Sequence, residues 1–187
     1  MNPPALPAAA PPTRYDRVAA WLHWLVGVAL LGQIAFGFLL DEIAPRGTPA
    51  RAPIINLHKS IGIALGLLVV ARLAWRLAHA VAPGPAFLSP LQRRAATLGH
   101  RALYACMLLM PASGYVASNF SKYGVVFFGI ALPPWGPESA AVYGFFNGLH
   151  VAAAYLFTAL IAGHVAMALW HARGDRHGVS GRMGRLV

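Results

Sequence analysis

Residues 142–170 read VYGFFNGLHVAAAYLFTALIAGHVAMALW, a run without a single Asp, Glu, Lys or Arg. At about 1.5 Å of rise per residue it is long enough to cross the roughly 30 Å hydrocarbon core of a bilayer as one helix. Two histidines interrupt it, His150 and His164. Fourteen residues apart, they fall within about 40° of one helical face and about 21 Å apart along the axis. An imidazole at membrane depth is costly unless something engages it, which makes it a functional-site candidate by default. One face of this helix therefore carries two candidate sites, one toward each side of the membrane.

Working outward, three more helices of similar reach are expected. The run from about Val18 to Leu40 is broken only by His23 and Gln33 and ends at Asp41 and Glu42. A second span, about Ile54 to Leu77, is entered through His58 and Lys59 and left through Arg72 and Arg76, whose long stems can snorkel to the interface. The prolines at 83, 85 and 90 make 79–92 a loop. A third helix runs from near Leu91 to about Asn119, with Pro111 as a kink site and Ala102 to Ala117 as its embedded part. Between 120 and 140 the apolar stretch Val125–Leu132 is too short to span and stops at Pro133, Pro134 and Pro137, which predicts an interfacial segment across the outer end. The expected fold is an all-α, integral membrane four-helix bundle over residues 14–172. A disordered Ala/Pro arm (1–13) precedes it and a polar tail (173–187) follows. The arm lacks the basic and apolar regions of a cleavable signal peptide, so the first span is expected to serve as an uncleaved insertion signal.

Composition agrees: of 187 residues 58% are hydrophobic and only 11% charged, too apolar for an ordinary soluble domain. A formal charge of +10 would suggest nucleic acid in a soluble protein. Here eleven of the fifteen Lys and Arg residues fall on one side of the predicted spans, in the N-terminal flank, the second connection and the tail. The positive-inside bias explains that charge and places both termini in the cytoplasm of a multi-pass inner-membrane protein, with no nucleic-acid partner. Cys106 is the sole cysteine, which excludes an internal disulfide and a Cys-x-x-Cys-His attachment site for covalent haem.

With that topology, His23 and His164 share a depth near the cytoplasmic side, and His58 and His150 share a depth near the outer side. Two imidazoles at each level suit two haem irons held from facing helices, with both axial positions filled, an arrangement that favours electron transfer over binding at the metal. The glycines at 27, 32, 37, 62, 66, 144 and 148 fit close approach of helices or of a flat macrocycle. His100 finds no partner left at its depth, and Met107 and Met110 read as core filling.

The segments RYDRVAAWLHWLVG (14–27), INLHKSIGI (55–63), LGHRALY (98–104), GLH (148–150) and AGHVAMALWH (162–171) resemble, in order and across four spans, the prokaryotic cytochrome b561 family of di-haem membrane proteins. The resemblance implies two haem b groups, His23 with His164 holding the inner one and His58 with His150 the outer. It further implies an oxidoreductase passing electrons between an outer-face donor, superoxide being the candidate, and membrane ubiquinone. The alternative is an anchor or electron-conducting subunit of a dehydrogenase or hydrogenase; a homodimer is a further arrangement. Around this core, Lys59, Arg46 and Arg51 form a candidate cationic rim for steering an anion. His100, His171, Arg72 and Arg76 are candidate contacts for a quinone or for haem propionates, since arginine forks match carboxylates. Scattered surface charge and interfacial anchoring are the plainer readings of the same residues.

Overall fold

The computed structural model describes residues 16–79 and 89–173; the expected arm, most of the second connection and the tail beyond Arg173 lie outside them. The elements in chain order are α1 (Arg17–Phe38), α2 (Leu40–Ile43), α3 (Arg51–Ala78), α4 (Pro90–Asn119), β1 (Val125–Phe127), β2 (Ile130–Leu132) and α5 (Ala140–Arg173).

Helix starts follow local chemistry. Asp16 caps α1 by accepting the Ala19 N–H at 2.8 Å, and the Trp75 indole from the far end of α3 donates to the same oxygen at 3.1 Å. The start of α1 and the finish of α3 are thereby tied together at what we term the basal end. Ser89 and Gln92 form a reciprocal capping box at the head of α4, with Pro90 at the first helical position, where its missing N–H costs nothing. At the opposite end Arg51 closes the turn after α2. Its Nη1 reaches Asp41 Oδ1 at 2.6 Å and the carbonyls of Leu40 and Ala44 at 3.2 and 2.9 Å.

Backbone packing runs in series, α1 along α3, α3 along α4, and α4 along α5. The ring closes between α1 and α5 through side chains, among them Phe38 against Tyr155 and His23 against His164. Helices α1, α3 and α5 are long and apolar enough to cross a membrane. Helix α4 is as long, but its first turns carry Arg93, Arg94 and Arg101, and it turns Cys106, Met107, Ser113, Ala117, Ser118 and Asn119 inward. It is the most polar stave of the bundle. Pro111 lies within it and packs on Gly66 of α3, where an added Cβ would come within 2.9 Å of the proline ring.

The buried core is a slab at mid-height: Val26, Leu30, Leu65, Val69, Cys106, Met107 and Phe157. Along every helix these positions fall between the levels of the predicted histidines.

The segment expected merely to lie across the outer end forms an antiparallel hairpin, with Val125 paired to Leu132 and Phe127 to Ile130. Its two-residue turn, Phe128–Gly129, has φ of +45° and +92°, the left-handed pair that matches strand twist in a tight hairpin. Phenylalanine rarely adopts such a φ. Ser60, 1% exposed on α3, offsets the strain: its Oγ accepts the Phe128 N–H at 2.9 Å and donates to the carbonyls of Asn56 (2.8 Å) and Val126 (3.1 Å). The hairpin is thus bolted to the second long helix, and this end of the bundle is the hairpin end.

Candidate functional site

Four histidines meet in two pairs across the gap between α5 and its neighbours. His23 of α1 faces His164 of α5 with ring centroids 6.3 Å apart, and His58 of α3 faces His150 of α5 at 6.4 Å; the ring planes cross at 72° and 86°. These separations exclude one chemistry and fit another. A direct N–H···N hydrogen bond of about 2.9 Å would bring the centroids to about 5 Å. Two imidazoles bound to opposite sides of one metal, each at about 2 Å from it, put them a little over 6 Å apart. Both pairs are too far apart for the first and match the second, a spacing that edge-to-face ring packing also allows.

Among the described residues no group of three or more His, Cys, Asp or Glu side chains is placed to hold a bare metal ion. A two-imidazole site suits a metal that brings its remaining donors in its own ring, as haem iron does. The residues therefore fit that group.

The seats of the rings are built locally. His150 Nδ1 donates to the Met110 carbonyl at 2.9 Å, with the Ser113 hydroxyl at 3.3 Å, which leaves the lone pair on Nε2 for a metal. The ring lies on Gly114 of α4, where an added Cβ would come within 3.0 Å of it; His58 lies likewise on Gly37 of α1, at 3.1 Å. Gln33 Nε2 donates to the His58 carbonyl at 2.7 Å and stands 3.1 Å from His58 Nδ1, while Gln33 Oε1 is buried with no partner among the described residues.

The basal pair has different company. Arg72 Nη2 donates to His23 Nδ1 at 3.0 Å. His100, read from sequence as having no pairing partner left at its depth, stands with its ring 5.5 Å from that of His164, edge to face, and is exposed; His164 itself faces His23. Arg76 lies over the Tyr104 ring at 5.4 Å. His171 sits half-buried in the last turn of α5.

The cationic rim is more tightly tied than its sequence suggested. Arg51 is bonded to Asp41, Arg46 stands 3.7 Å from the same carboxylate, and Lys59 Nζ donates to the Gly124 carbonyl at 2.9 Å. Among the glycines singled out, 37 and 66 make close approaches and 62 an ordinary contact, whereas 27, 32, 144 and 148 meet nothing within 4 Å among the described residues. Gly114, the Met110 carbonyl and Gln33 escaped sequence reading. Gln33 had one signal, being the only clearly polar side chain besides histidine in its span.

A membrane bundle with paired imidazoles at two heights is an arrangement suited to a membrane cytochrome of the b type. Residues 14–185 match the family described as prokaryotic cytochrome b561. The chain is 34% identical over 177 residues to cytochrome b561 homolog 2 of Escherichia coli K12, covering 92% of each. With cytochrome b561 homolog 1 of the same organism it shares 26% over 165 residues, covering 84% of this chain and 89% of the relative. The chain belongs to the prokaryotic cytochrome b561 family, and is thus a membrane haem protein of electron transport.

Proposed function

We propose that this protein carries electrons across the bacterial inner membrane through two haem b groups, His23 with His164 holding the basal one and His58 with His150 the one at the hairpin end. The observation that carries this reading is the pair of ring separations, 6.3 and 6.4 Å, repeated at two heights of one helix. When bound, haem b supplies reversible one-electron chemistry. The chain's residues orient the ligand rings, exclude water between the levels and divide a crossing of roughly 30 Å into shorter stages. The bundle of residues 14–172 is the functional unit, with both termini in the cytoplasm by the positive-inside bias. The basal end is then the inner end.

Superoxide is the outer-face donor and ubiquinone the acceptor in this reading. Two superoxide ions each give up one electron and leave as dioxygen, while one quinone takes both electrons and two protons to become quinol. Support for an anionic donor comes from Lys59, Arg46 and Arg51 at the hairpin end, reduced by the Asp41 pairing of the two arginines. His100, His171, Arg72 and Arg76 gather at the basal end as contacts for quinone or propionate.

The test is purified protein alone. A reduced-minus-oxidised spectrum should show b-type bands with two haems per chain, and superoxide should then convert a ubiquinone analogue to quinol without another subunit. One haem or none would refute the two-level reading. Two haems without quinol formation would refute the donor–acceptor assignment and favour a subunit serving a dehydrogenase or hydrogenase.

A further inference from the structure

The two levels differ in what meets the ring nitrogen turned away from the opposing imidazole. A histidine that gives Nε2 to a metal keeps its proton on Nδ1, and the group accepting that proton's hydrogen bond makes the ring a stronger donor to the metal. At the hairpin end one such acceptor is in place. His150 Nδ1 already donates to the Met110 carbonyl at 2.9 Å. His58 Nδ1 stands 3.1 Å from Gln33 Nε2, in a neutral amide held by its bond to the His58 carbonyl at 2.7 Å. One ring of this level thus leans on a neutral oxygen acceptor, which enriches the metal in electron density and favours its oxidised form.

The basal level has the opposite surroundings. His23 Nδ1 meets Arg72, at 3.0 Å, and a guanidinium has five donors and no acceptor. It cannot accept a proton from Nδ1, so ligation of His23 through Nε2 displaces that hydrogen bond while leaving a full positive charge on the adjacent helix. Arg76 and Arg101 add positive charge at the same end. A nearby cation favours whichever state of a metal carries less positive charge, and in the weakly screening interior its reach is long. Lys59, next to His58 in sequence, puts one cation at the hairpin level too, with its ammonium drawn onto the Gly124 carbonyl of the hairpin loop, against the three arginines of the basal end.

We infer that Arg72 makes the basal level the higher-potential site, and that the Met110 carbonyl holds the hairpin level lower, so that a built-in gradient points from the hairpin end to the basal end. This rests on the two-haem reading above. Arg72 acts here as a positioning charge on the site.

The test is an equilibrium redox titration of the haem-loaded protein, followed by its absorbance bands. Wild type should give two separate midpoints. In Arg72→Gln the higher midpoint should fall, with at least a tenfold loss of preference for that site, about 59 mV for one electron, while the lower stays; Arg72→Lys should restore most of the difference. Should Arg72→Gln not fold, Arg72→Met, which keeps the apolar stem and removes the charge, decides by the same reading. A fall of the lower midpoint in either variant, no movement of either midpoint, or coincident wild-type midpoints would overturn the inference while leaving a two-haem protein intact. A single b-type centre would instead refute the two-haem reading.

Discussion

At the hairpin end both imidazoles lie against glycine, His58 on Gly37 and His150 on Gly114, whereas at the basal end His23 meets a guanidinium and His164 a third imidazole. The first level is fitted by shape: little can be added near its rings without moving them. The second is fitted by charge, and it opens toward exposed His100. Similar ring separations are therefore reached by different means, which teaches that the spacing is the common requirement and the surroundings are where the two levels differ.

The largest test of that separation is removal of single ligands. His58→Ala or His150→Ala should lower the haem-to-protein ratio from two to one, with His23→Ala or His164→Ala doing so at the other level. Distinct spectra for the two sets would sharpen the comparison; loss of both haems from any one folded variant would break it. A smaller effect is expected from shape. Gly114→Ala places a methyl about 3.0 Å from the His150 ring, and overpacking of this kind costs about 1–3 kcal/mol, so haem should be lost more readily from the hairpin level alone. Gly163→Ala, beside His164 but exposed and with nothing within 4 Å among the described residues, should leave the basal level unchanged and, by helix propensity, stabilise by up to about 1 kcal/mol. Equal haem retention in the two variants would remove the shape argument.

The smallest effect concerns the fastening of the basal end. Burial pushes the Asp16 carboxyl up, but hydrogen bonds from the Ala19 N–H and the Trp75 indole, together with charge on His79, outweigh it and hold the group below its ordinary value. A carboxylate so lowered contributes stability that is present above its unfolded value of about 3.9 and is lost as pH falls through the folded one. Thermal unfolding followed by helix signal should show a modest loss on acidification that Asp16→Ala lacks. At neutral pH that variant should be less stable by about 0.5–2 kcal/mol, the range for a lost N-cap.

The spans were legible because hydropathy and the 3.6-residue period speak within one segment. His150 and His164 share a face by arithmetic, and topology sets His23 level with His164 and His58 level with His150. What lay hidden depends on how helices are rotated against one another. The approach of Arg72 to His23, the seat of His150 on Gly114 and the place of His100 beside His164 each join residues far apart in sequence through packing that no local pattern encodes. The hairpin escaped for another reason: strands of three residues give alternation too few cycles to register, and its turn is Phe128–Gly129 where Asn–Gly would have announced it. Its stability comes from Ser60, sixty-eight residues away from Phe128.

Between the two histidine levels lies the slab of Val26, Leu30, Leu65, Val69, Cys106, Met107 and Phe157, with Phe157, 1% exposed, seven residues from each ligand candidate on its helix. Apart from one thiol it offers no side chain that could pass a hydrogen bond onward, and a bare ion entering it would forfeit its hydration with nothing in return. Such a layer insulates against protons and salts without obstructing an electron. Charge moved through it travels unaccompanied, against or along the membrane voltage, with up to about 2.3 kcal/mol at stake per 100 mV for a full crossing. The most inert part of the molecule is in this sense the dielectric of a capacitor, and its dryness would make electron passage electrogenic.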